Sequence, residues 1–308
     1  MSSPAISIII VTYRREAVLV DTVRSVLEQM QNNAEMVIVD QTERHLPETD
    51  DALRELLVSR THVRWYRVGP ASTAAARNFG LAHTTGDLVV FFDDDVVLHD
   101  GCLQAHVDQH ARHPKVGAIT GRVEHPGQSL ASSLYAMDTY GEETGGFNWD
   151  RDAAVGTVNG ANMSYKRRAL LQVGTFDPSY KGNGWREESD LAFRVMAAGW
   201  PLRFAADAFL LHKADPEGGA RAFGSDYYAS PTIYANETLF FLRRGRHRLL
   251  LPFLWRLARR GVLRGALLRR GELVKRIRPF AVGIVRGVRL YRVPMELQLC
   301  VRHDEVSG

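Results

Sequence analysis

Cysteine is scarce in this chain of 308 residues, and the two that are present, Cys102 and Cys300, lie far apart. Two distant cysteines form neither a disulfide framework nor a zinc motif, so we expect a reducing compartment. Long apolar runs are also missing. No run approaches the roughly 18 residues that a membrane-spanning helix needs. Ile6–Val11 is apolar but short, and because no cleavage pattern follows it, we expect no signal peptide.

Charge is distributed unevenly along the chain. The net charge of +4 combines 17 basic and 4 acidic residues in 243–308 with 22 basic and 31 acidic residues in 1–242. Two regions of opposite net charge therefore meet near Leu242–Arg243. We predict a globular domain at 1–242 and a basic helical tail at 243–308. A hydrophobic content of 45% is ordinary and is enough for a sizeable core.

Apolar runs that are typical of strands alternate with helical patterns up to about Leu98. The predicted strands are Ile6–Val11, Met36–Val39, Val63–Val68 and Leu88–Phe92, and the predicted helices are Val18–Met30, Asp51–Val58, Thr73–His83 and 101–112. This alternation predicts an α/β fold, a mostly parallel sheet covered by helices. The pattern becomes irregular after Val116–Val123, so we divide the domain into halves at 1–123 and 124–242. The glycine-rich stretch Gly141–Gly156 is predicted to be a loop.

The segment Leu88–Leu98, LVVFFDDDVVL, leads an apolar strand directly into three aspartates. Side chains alternate along an extended chain, so Asp93 and Asp95 point to one side and Asp94 to the other. Two carboxylates at a strand end suit Mg²⁺ or Mn²⁺, which often bind substrate phosphates as well. The alternative is an acidic turn or a helix N-cap. Thr12, Tyr13 and Arg14, and also Asp40, follow two other predicted strands, and ligands of parallel sheets bind beyond such ends.

Five segments, in this order, resemble the family 2 glycosyltransferases. They are IIIVTYRR (8–15), VIVDQT (37–42), AARNFGLAHTTGDLVVFFDDD (75–95), NGANMSYKRRALLQVGTFD (159–177) and REESDLAFRVMAAGWPLRFAADAFLLH (186–212). The resemblance covers roughly two thirds of the chain. It implies the GT-A fold and the inverting transfer of a sugar from a nucleoside diphosphate to an acceptor hydroxyl, with Mg²⁺ or Mn²⁺.

The resemblance also implies roles on the donor side. Thr12, Tyr13 and Arg14 would form the nucleoside pocket, and Asp40 would accept a hydrogen bond from the base. Asp95 would be the main metal ligand, Asp93 would contact metal or nucleotide, and His212 would help to hold the metal. Asp94 would lie near the nucleotide or serve the turn. Arg77 would pair with the diphosphate or, equally, with an aspartate of the 93–95 cluster.

On the acceptor side, REESDL (186–191) resembles the catalytic-base segment of the family. Glu188 would be the base and Glu187 the second candidate, whereas Asp190 would lie on the acceptor side and charge the first helical turn. Asn159, Asn162 and Trp185 would line the acceptor side, with a core position as the alternative for Trp185. His106, His110 and His113 have helical spacing, and we predict that they form an exposed helix face.

The tail segment Leu249–Arg278 mixes leucines and a tryptophan with recurring arginines. This pattern favours a basic amphipathic helix on an anionic membrane surface over nucleic-acid binding or an arginine-lined dimer interface. We therefore expect a cytoplasmic protein, peripheral on the inner face of the membrane, with a lipid-linked, envelope or small-molecule acceptor. The alternatives are a sugar-1-phosphate nucleotidyltransferase, which VTYRREAV (11–18) disfavours because it lacks glycine, and a non-catalytic membrane scaffold.

Overall fold

The structure, a computed structural model, describes residues 6–223, 227–263 and 272–295. Its centre is a mixed sheet with the strand order β3-β2-β1-β4-β10-β6-β11-β5, and β9 pairs with β11. The described strands are β1 Ile6–Thr12, β2 Ala34–Asp40, β3 Val63–Arg67, β4 Leu88–Phe92, β5 Val96–Leu98, β6 Ala118–Glu124, β7 Ala136–Met137, β8 Glu143–Thr144, β9 Ala153–Ala154, β10 Asn162–Lys166 and β11 Leu202–His212.

Helices cover both faces of the sheet. The described helices are α1 Ala17–Gln29, α2 Pro47–Leu57, α3 Thr73–Ala82, α4 Cys102–Arg112, α5 Arg167–Val173, α6 Glu187–Ala197, α7 Pro231–Arg243, α8 Leu250–Ala258 and α9 Glu272–Tyr291. A π-helical turn, Arg259–Leu263, follows α8. Strands β1 to β4 run parallel, and β1 and β4 are almost wholly buried, as a sheet with two covered faces requires. The predicted fold class is confirmed.

The second half of the sheet brings the end of the chain's longest described strand back to the aspartates. β10 is antiparallel to β4 and pairs Asn162 with Phe92. β11 is antiparallel to β5 and pairs His212 with Val96. Because Val96 directly follows Asp95, this register places His212 beside the acidic turn between β4 and β5. Strand pairing thus brings His212 next to aspartates that lie more than a hundred residues earlier in the sequence.

The basic tail does not begin at a linker. Leu242 and Arg243 are the last residues of α7, whose residues 233–242 are all buried. The following helices pack on α7, and α9 approaches it at Gly283 and Gly287, where an added Cβ would lie 2.4 Å and 2.6 Å from atoms of α7. The change of charge therefore occurs within one packed unit. Residues 264–271 and 296–308 of the predicted tail, with Cys300, lie outside the described residues.

Two local predictions differ from the structure. His106 and His110 are buried, not exposed, because α4 lies on the sheet and both imidazoles bond to Ser164 of β10. Burial lowers the pKa of His106 to about 4 and that of His110 to about 3. The predicted loop Gly141–Gly156 contains β8 and β9, and β8 forms a hairpin with β7. Among the described residues, no helix is both long and apolar enough to cross a membrane.

Candidate functional site

A cleft lies at the carboxyl ends of β1 and β4, between the two halves of the sheet. It brings together most of the residues that the sequence singled out: Thr12, Tyr13, Arg77, Asp93, Asp94, Asp95, Asn159, Trp185, Glu187, Glu188 and His212. The sheet explains this convergence, since parallel strands end at one edge and the antiparallel β5–β11 pair returns His212 to that edge. Arg14, Asp40, Asn162 and Asp190 are not among its lining residues.

Asp93, Asp95 and His212 form a compact group that could hold a metal ion. One ligand atom from each lies within 4.8 Å of the other two. His212 Nε2 is 3.2 Å from Asp95 Oδ1 and 3.7 Å from Asp93 Oδ2. Two carboxylate oxygens and one imidazole nitrogen are a donor set suited to Mn²⁺ or Mg²⁺. Burial lowers the pKa of His212, but the neighbouring carboxylates of Asp93 and Asp95 raise it by more. The pKa of His212 therefore lies above its usual value.

Arg15, which was not among the predicted site residues, also lines the cleft and bonds to the acidic turn. Its guanidinium is buried, and it donates to Asp94 Oδ1 at 3.1 Å and to Asp95 Oδ2 at 2.8 Å. Arg15 thus pairs with Asp94 and with the Asp95 oxygen that is not the one nearest to His212. In the sequence, Arg15 is recognisable only as an arginine three residues after the end of β1. Arg14 has nearly the same position, so the sequence does not distinguish the two. The neighbouring Arg14 is exposed, and its guanidinium lies 5.0 Å from the Tyr13 ring centroid.

Asp94 lies in the turn between β4 and β5 and is not part of the metal group. It is buried, and one oxygen accepts a hydrogen bond from the backbone N–H of Tyr13. Burial raises the pKa of Asp94 to about 7 despite the nearby Arg15. These contacts tie the β4–β5 turn to the loop after β1, so Asp94 stabilises the shape of the cleft.

Arg77 forms protein ion pairs, the second of the two alternatives that the sequence left open. It is buried and donates to Glu187 Oε1, to Asp93 Oδ1 at 3.3 Å and to the carbonyl oxygen of Gly160 at 3.0 Å. Its guanidinium also lies 5.4 Å from the Phe176 ring centroid. Arg77 therefore connects the metal group to the first turn of α6.

The two adjacent glutamates of α6 have different surroundings. Glu187 is buried and pairs with Arg77, and burial raises its pKa to about 8. Glu188 is partly exposed, lines the cleft and accepts a hydrogen bond from the Ser189 hydroxyl at 3.3 Å. Burial raises the pKa of Glu188 as well. Of the two carboxylates, that of Glu188 is the one without an arginine bonded to it.

Asp40 does not reach the cleft, in contrast to the predicted base contact. It is fully buried, and its oxygens accept hydrogen bonds from the Thr42 backbone N–H, from His45 Nε2 at 2.7 Å and from Trp65 Nε1 at 3.0 Å. The next residue, Gln41, lines the cleft instead. Its side-chain amide bonds to the backbone of Pro70 and Ser72 and fixes the loop before α3.

Asn162 and Asp190 are also outside the cleft. Asn162 is fully buried in the sheet, where its amide donates to the carbonyl oxygens of Arg122 and Ala208. Asp190 is buried in the first turn of α6 and accepts hydrogen bonds from Tyr180 and Arg194. Both side chains form hydrogen bonds within the protein. Of the four residues predicted for the acceptor side, Asn159 and Trp185 are the two that line the cleft.

A segment after β11, residues 213–223, closes one side of the cleft. The Asp215 N–H donates to Asp95 Oδ2 at 3.0 Å, and the Gly219 N–H donates to the Tyr13 carbonyl oxygen at 2.7 Å. Gly218 has a φ of +69°, and a Cβ there would lie 2.0 Å from the Arg14 carbonyl oxygen, so only glycine fits. Phe223 stacks on Tyr13 with ring centroids 5.7 Å apart. The Tyr13–Phe223 pair forms an aromatic wall beside the metal group.

The family model described as Glycosyl transferase family 2 matches residues 7–174, more than half of the chain, and the chain belongs to this family. It is 28% identical over 211 residues to an N-acetylglucosaminyl-diphospho-decaprenol L-rhamnosyltransferase of Mycobacterium tuberculosis, covering 62% of this chain and 64% of the relative. A glucosyl-dolichyl phosphate glucuronosyltransferase of Haloferax volcanii is 27% identical over 178 residues, covering 56% of each. The chain spans less than two thirds of the length of these relatives.

Solved structures agree with the fold. A crystal structure of GalNAc-T7 with UDP, GalNAc and Mn²⁺ has a TM-score of 0.62 at 15% identity, covering 78% of this chain and 48% of that chain. The mannosyltransferase PcManGT from Pyrobaculum calidifontis, in complex with GDP-Man and Mn²⁺, has a TM-score of 0.58 at 17% identity, covering 94% and 86%. At such low identity these similarities establish the GT-A fold alone.

Proposed function

We propose that the protein is a metal-dependent glycosyltransferase that moves a sugar from a nucleoside-diphosphate sugar to an acceptor hydroxyl with inversion at the anomeric carbon. The observation that carries this proposal is that one cleft contains both a group of candidate metal ligands and a separate carboxylate that could act as a base. Asp93, Asp95 and His212 converge on one point, and Glu188 lines the same cleft without a bonded arginine. Family membership and the Mn²⁺-bound fold relatives support the same activity.

On the donor side, Asp93, Asp95 and His212 would hold Mg²⁺ or Mn²⁺. The bound ion would act as a Lewis acid that neutralises the departing diphosphate. Arg15 keeps Asp95 oriented through the oxygen that is not the one nearest to His212. Thr12 and the Tyr13–Phe223 wall offer a surface for the nucleoside, and Tyr13 supplies an aromatic face.

On the acceptor side, Glu188 is the proposed general base. A base must reach the acceptor hydroxyl, and a partly exposed carboxylate that lines the cleft meets this condition. Glu187 is the weaker candidate because Arg77 occupies one of its oxygens in a buried pair. Attack from the face opposite the diphosphate would invert the anomeric centre. Asn159 and Trp185 would contact the acceptor.

The test of this proposal is a thermal-shift screen of UDP-, GDP- and dTDP-sugars with and without Mn²⁺, followed by a nucleotide-release assay with octyl glycosides and polyprenyl-diphosphate glycosides as acceptors. We expect stabilisation by one nucleoside diphosphate that requires Mn²⁺, and transfer with an inverted linkage in the product. Metal-independent stabilisation by every nucleotide, or a retained linkage, would contradict the proposal.

A lipid-linked acceptor and a peripheral position on the inner face of the membrane are the finer part of the proposal. The curated relatives that act on decaprenol- and dolichol-linked sugars support the acceptor class. The surface of α8 supports the location, since Leu251 is 79% exposed and Trp255, one turn later, is 63% exposed. Arg248 and Arg259 are exposed on either side of them. Apolar side chains rimmed by arginines suit the interface of an anionic bilayer.

Vesicle flotation tests this location. We expect the protein to float with phosphatidylglycerol-containing vesicles but not with neutral ones, and the double variant Leu251→Ser, Trp255→Ser to stay at the bottom of the gradient. Val58→Ser is the control, because Val58 is 84% exposed but lies on the acidic domain. Equal flotation of the double variant and the control would refute the assignment of α8 to the membrane.

A further inference from the structure

A buried carboxylate outside the proposed catalytic machinery connects the C-terminal helices to the acceptor side of the cleft. Glu237 lies in the middle of α7 and is 1% exposed. A single oxygen, Oε1, accepts three hydrogen bonds: from Trp185 Nε1 at 2.9 Å, from Arg186 at 3.0 Å and from Arg260 at 2.9 Å. Burial alone would raise the pKa of Glu237, but Arg186 and Arg260 hold it below its usual value.

Two of these three donors belong to the active-site segment. Trp185 lines the cleft, and Arg186 directly precedes Glu187, the first residue of α6. Arg186 is buried and has a φ of 76°, a left-handed conformation that is unfavourable for a residue with a side chain. Its guanidinium also lies 5.0 Å from the Trp185 ring centroid. The buried contacts of Arg186 therefore hold the chain in this conformation just before the two glutamates.

The third donor comes from the basic region. Arg260 lies in the π-helical turn after α8 and reaches inward to Glu237, and it also donates to the Gly141 carbonyl oxygen at 3.3 Å. Arg186 bonds to the same Gly141 oxygen at 3.2 Å. The β7–β8 hairpin, α7 and the turn after α8 thus meet around one carboxylate. Buried ion pairs add little net stability, so we assign this cluster a role in geometry.

We propose that Arg260 and Glu237 are positioning residues for glycosyl transfer, which set the orientation of Trp185 and of the first turn of α6 on the acceptor side. The C-terminal helical region is then part of the acceptor site as well as a surface for a membrane. This inference rests on the proposed function. It implies that changes at Arg260 impair the use of a water-soluble acceptor, where membrane attachment has no effect.

The chain offers a matched control in the next residue. Arg259 lies in the same π-helical turn and is 63% exposed, and among the described residues its ion pair is with Glu142 at the surface, at 3.4 Å. Arg260→Met and Arg259→Met remove the same charge from neighbouring positions. With octyl glycosides as acceptors, we expect Arg260→Met to lower kcat/KM for the acceptor about ten- to hundredfold, the scale of a misplaced reactant. Affinity for the nucleoside diphosphate with Mn²⁺ should stay within twofold.

Two further readouts separate positioning from a general loss of structure. Arg260→Lys keeps the cation and should recover most of the lost kcat/KM. In protein labelled with ¹⁵N-tryptophan, the indole N–H signal of Trp185, assigned by its absence in Trp185→Phe, should shift in Arg260→Met and stay unchanged in Arg259→Met. The effects of Arg260→Met and Trp185→Phe on kcat/KM should not add, because both remove contacts made to one carboxylate.

Equal acceptor kinetics of the Arg260 and Arg259 variants would overturn the inference. A parallel loss of donor affinity and of thermal stability in Arg260→Met would also overturn it, in favour of a purely structural ion pair. If the wild-type protein transfers no sugar in the screen, the proposed function fails. The Trp185 indole signal still decides whether Arg260 orients that side chain, since it does not depend on turnover.

Discussion

The ends of β2 and β4 carry the same pattern, an apolar buried strand that leads into an aspartate, yet their carboxylates have opposite surroundings. Asp40 is fully buried and bonded to Thr42, His45 and Trp65. Asp93 is partly open to the cleft and faces His212. The difference arises from what the fold brings against each strand end. A buried carboxylate whose oxygens accept hydrogen bonds from the protein stabilises the fold. A carboxylate with an oxygen exposed to a cleft can bind a ligand.

The largest effect should come from Asp95→Asn, which changes one carboxylate oxygen of the metal group to an amide. We expect sugar transfer to fall by about a thousandfold or more, because Lewis-acid stabilisation of the leaving group is worth several kcal/mol. The Mn²⁺-dependent thermal shift should disappear as well. Asp100→Asn, a change of the same kind at an exposed position, is the control. Near-normal activity with Mn²⁺ in the Asp95 variant would remove the metal assignment.

The second-largest expected effect is a difference in activity between variants of the two adjacent glutamates of α6. Glu188→Gln should keep donor binding and lose turnover about a hundredfold or more, as expected when a general base is removed. Glu187→Gln should keep more activity and lose stability, since it weakens the buried pair with Arg77. Steady-state kinetics and thermal melting of both variants decide the order. If Glu187→Gln is the inactive variant, the base has been assigned to the wrong carboxylate.

At the other strand end, Asp40→Asn should act on stability instead of activity. Replacing the charged acceptor of His45 and Trp65 weakens buried hydrogen bonds that are worth about 1.5–3 kcal/mol each when a charge is involved. We expect the free energy of unfolding in urea to fall by about 2–3 kcal/mol, with little change in nucleotide affinity. Asp51→Asn, on the surface of α2, is the control. A stable variant with lost nucleotide affinity would restore Asp40 to the base-binding role that the sequence predicted.

The smallest predicted effect concerns pH. Burial raises the pKa of Glu188 above its usual value of 4.5, and a general base acts only when deprotonated. The transfer rate should therefore rise with pH, with a midpoint above 4.5, and the acid limb should disappear from the residual activity of Glu188→Gln. Circular dichroism across the same range shows whether the protein stays folded. An acid limb that survives unchanged in Glu188→Gln would assign the titration to another group.

The sequence by itself determined the family and the fold class, and it identified the acidic residues Asp93–Asp95 as a candidate site. Those features depend on local periodicity and on motifs that are contiguous in the chain. It also placed Asp190 in the first turn of a helix, which the structure has. The sequence paired Asp93 with Asp95, and the structure groups these two carboxylates with His212.

Only the tertiary structure decided which polar side chains remain available. Asn162, Asp190 and Asp40 match the motifs as well as Asp93 does, but other residues of the protein satisfy their hydrogen bonds. The same packing joins Arg15 to Asp94 and Asp95 but leaves Arg14 exposed, and it pairs Arg77 with Glu187 and not with Glu188. The physical reason is that the availability of a polar side chain depends on whether a hydrogen-bond partner lies next to it in space. In this protein such partners lie from two to about two hundred residues away in sequence.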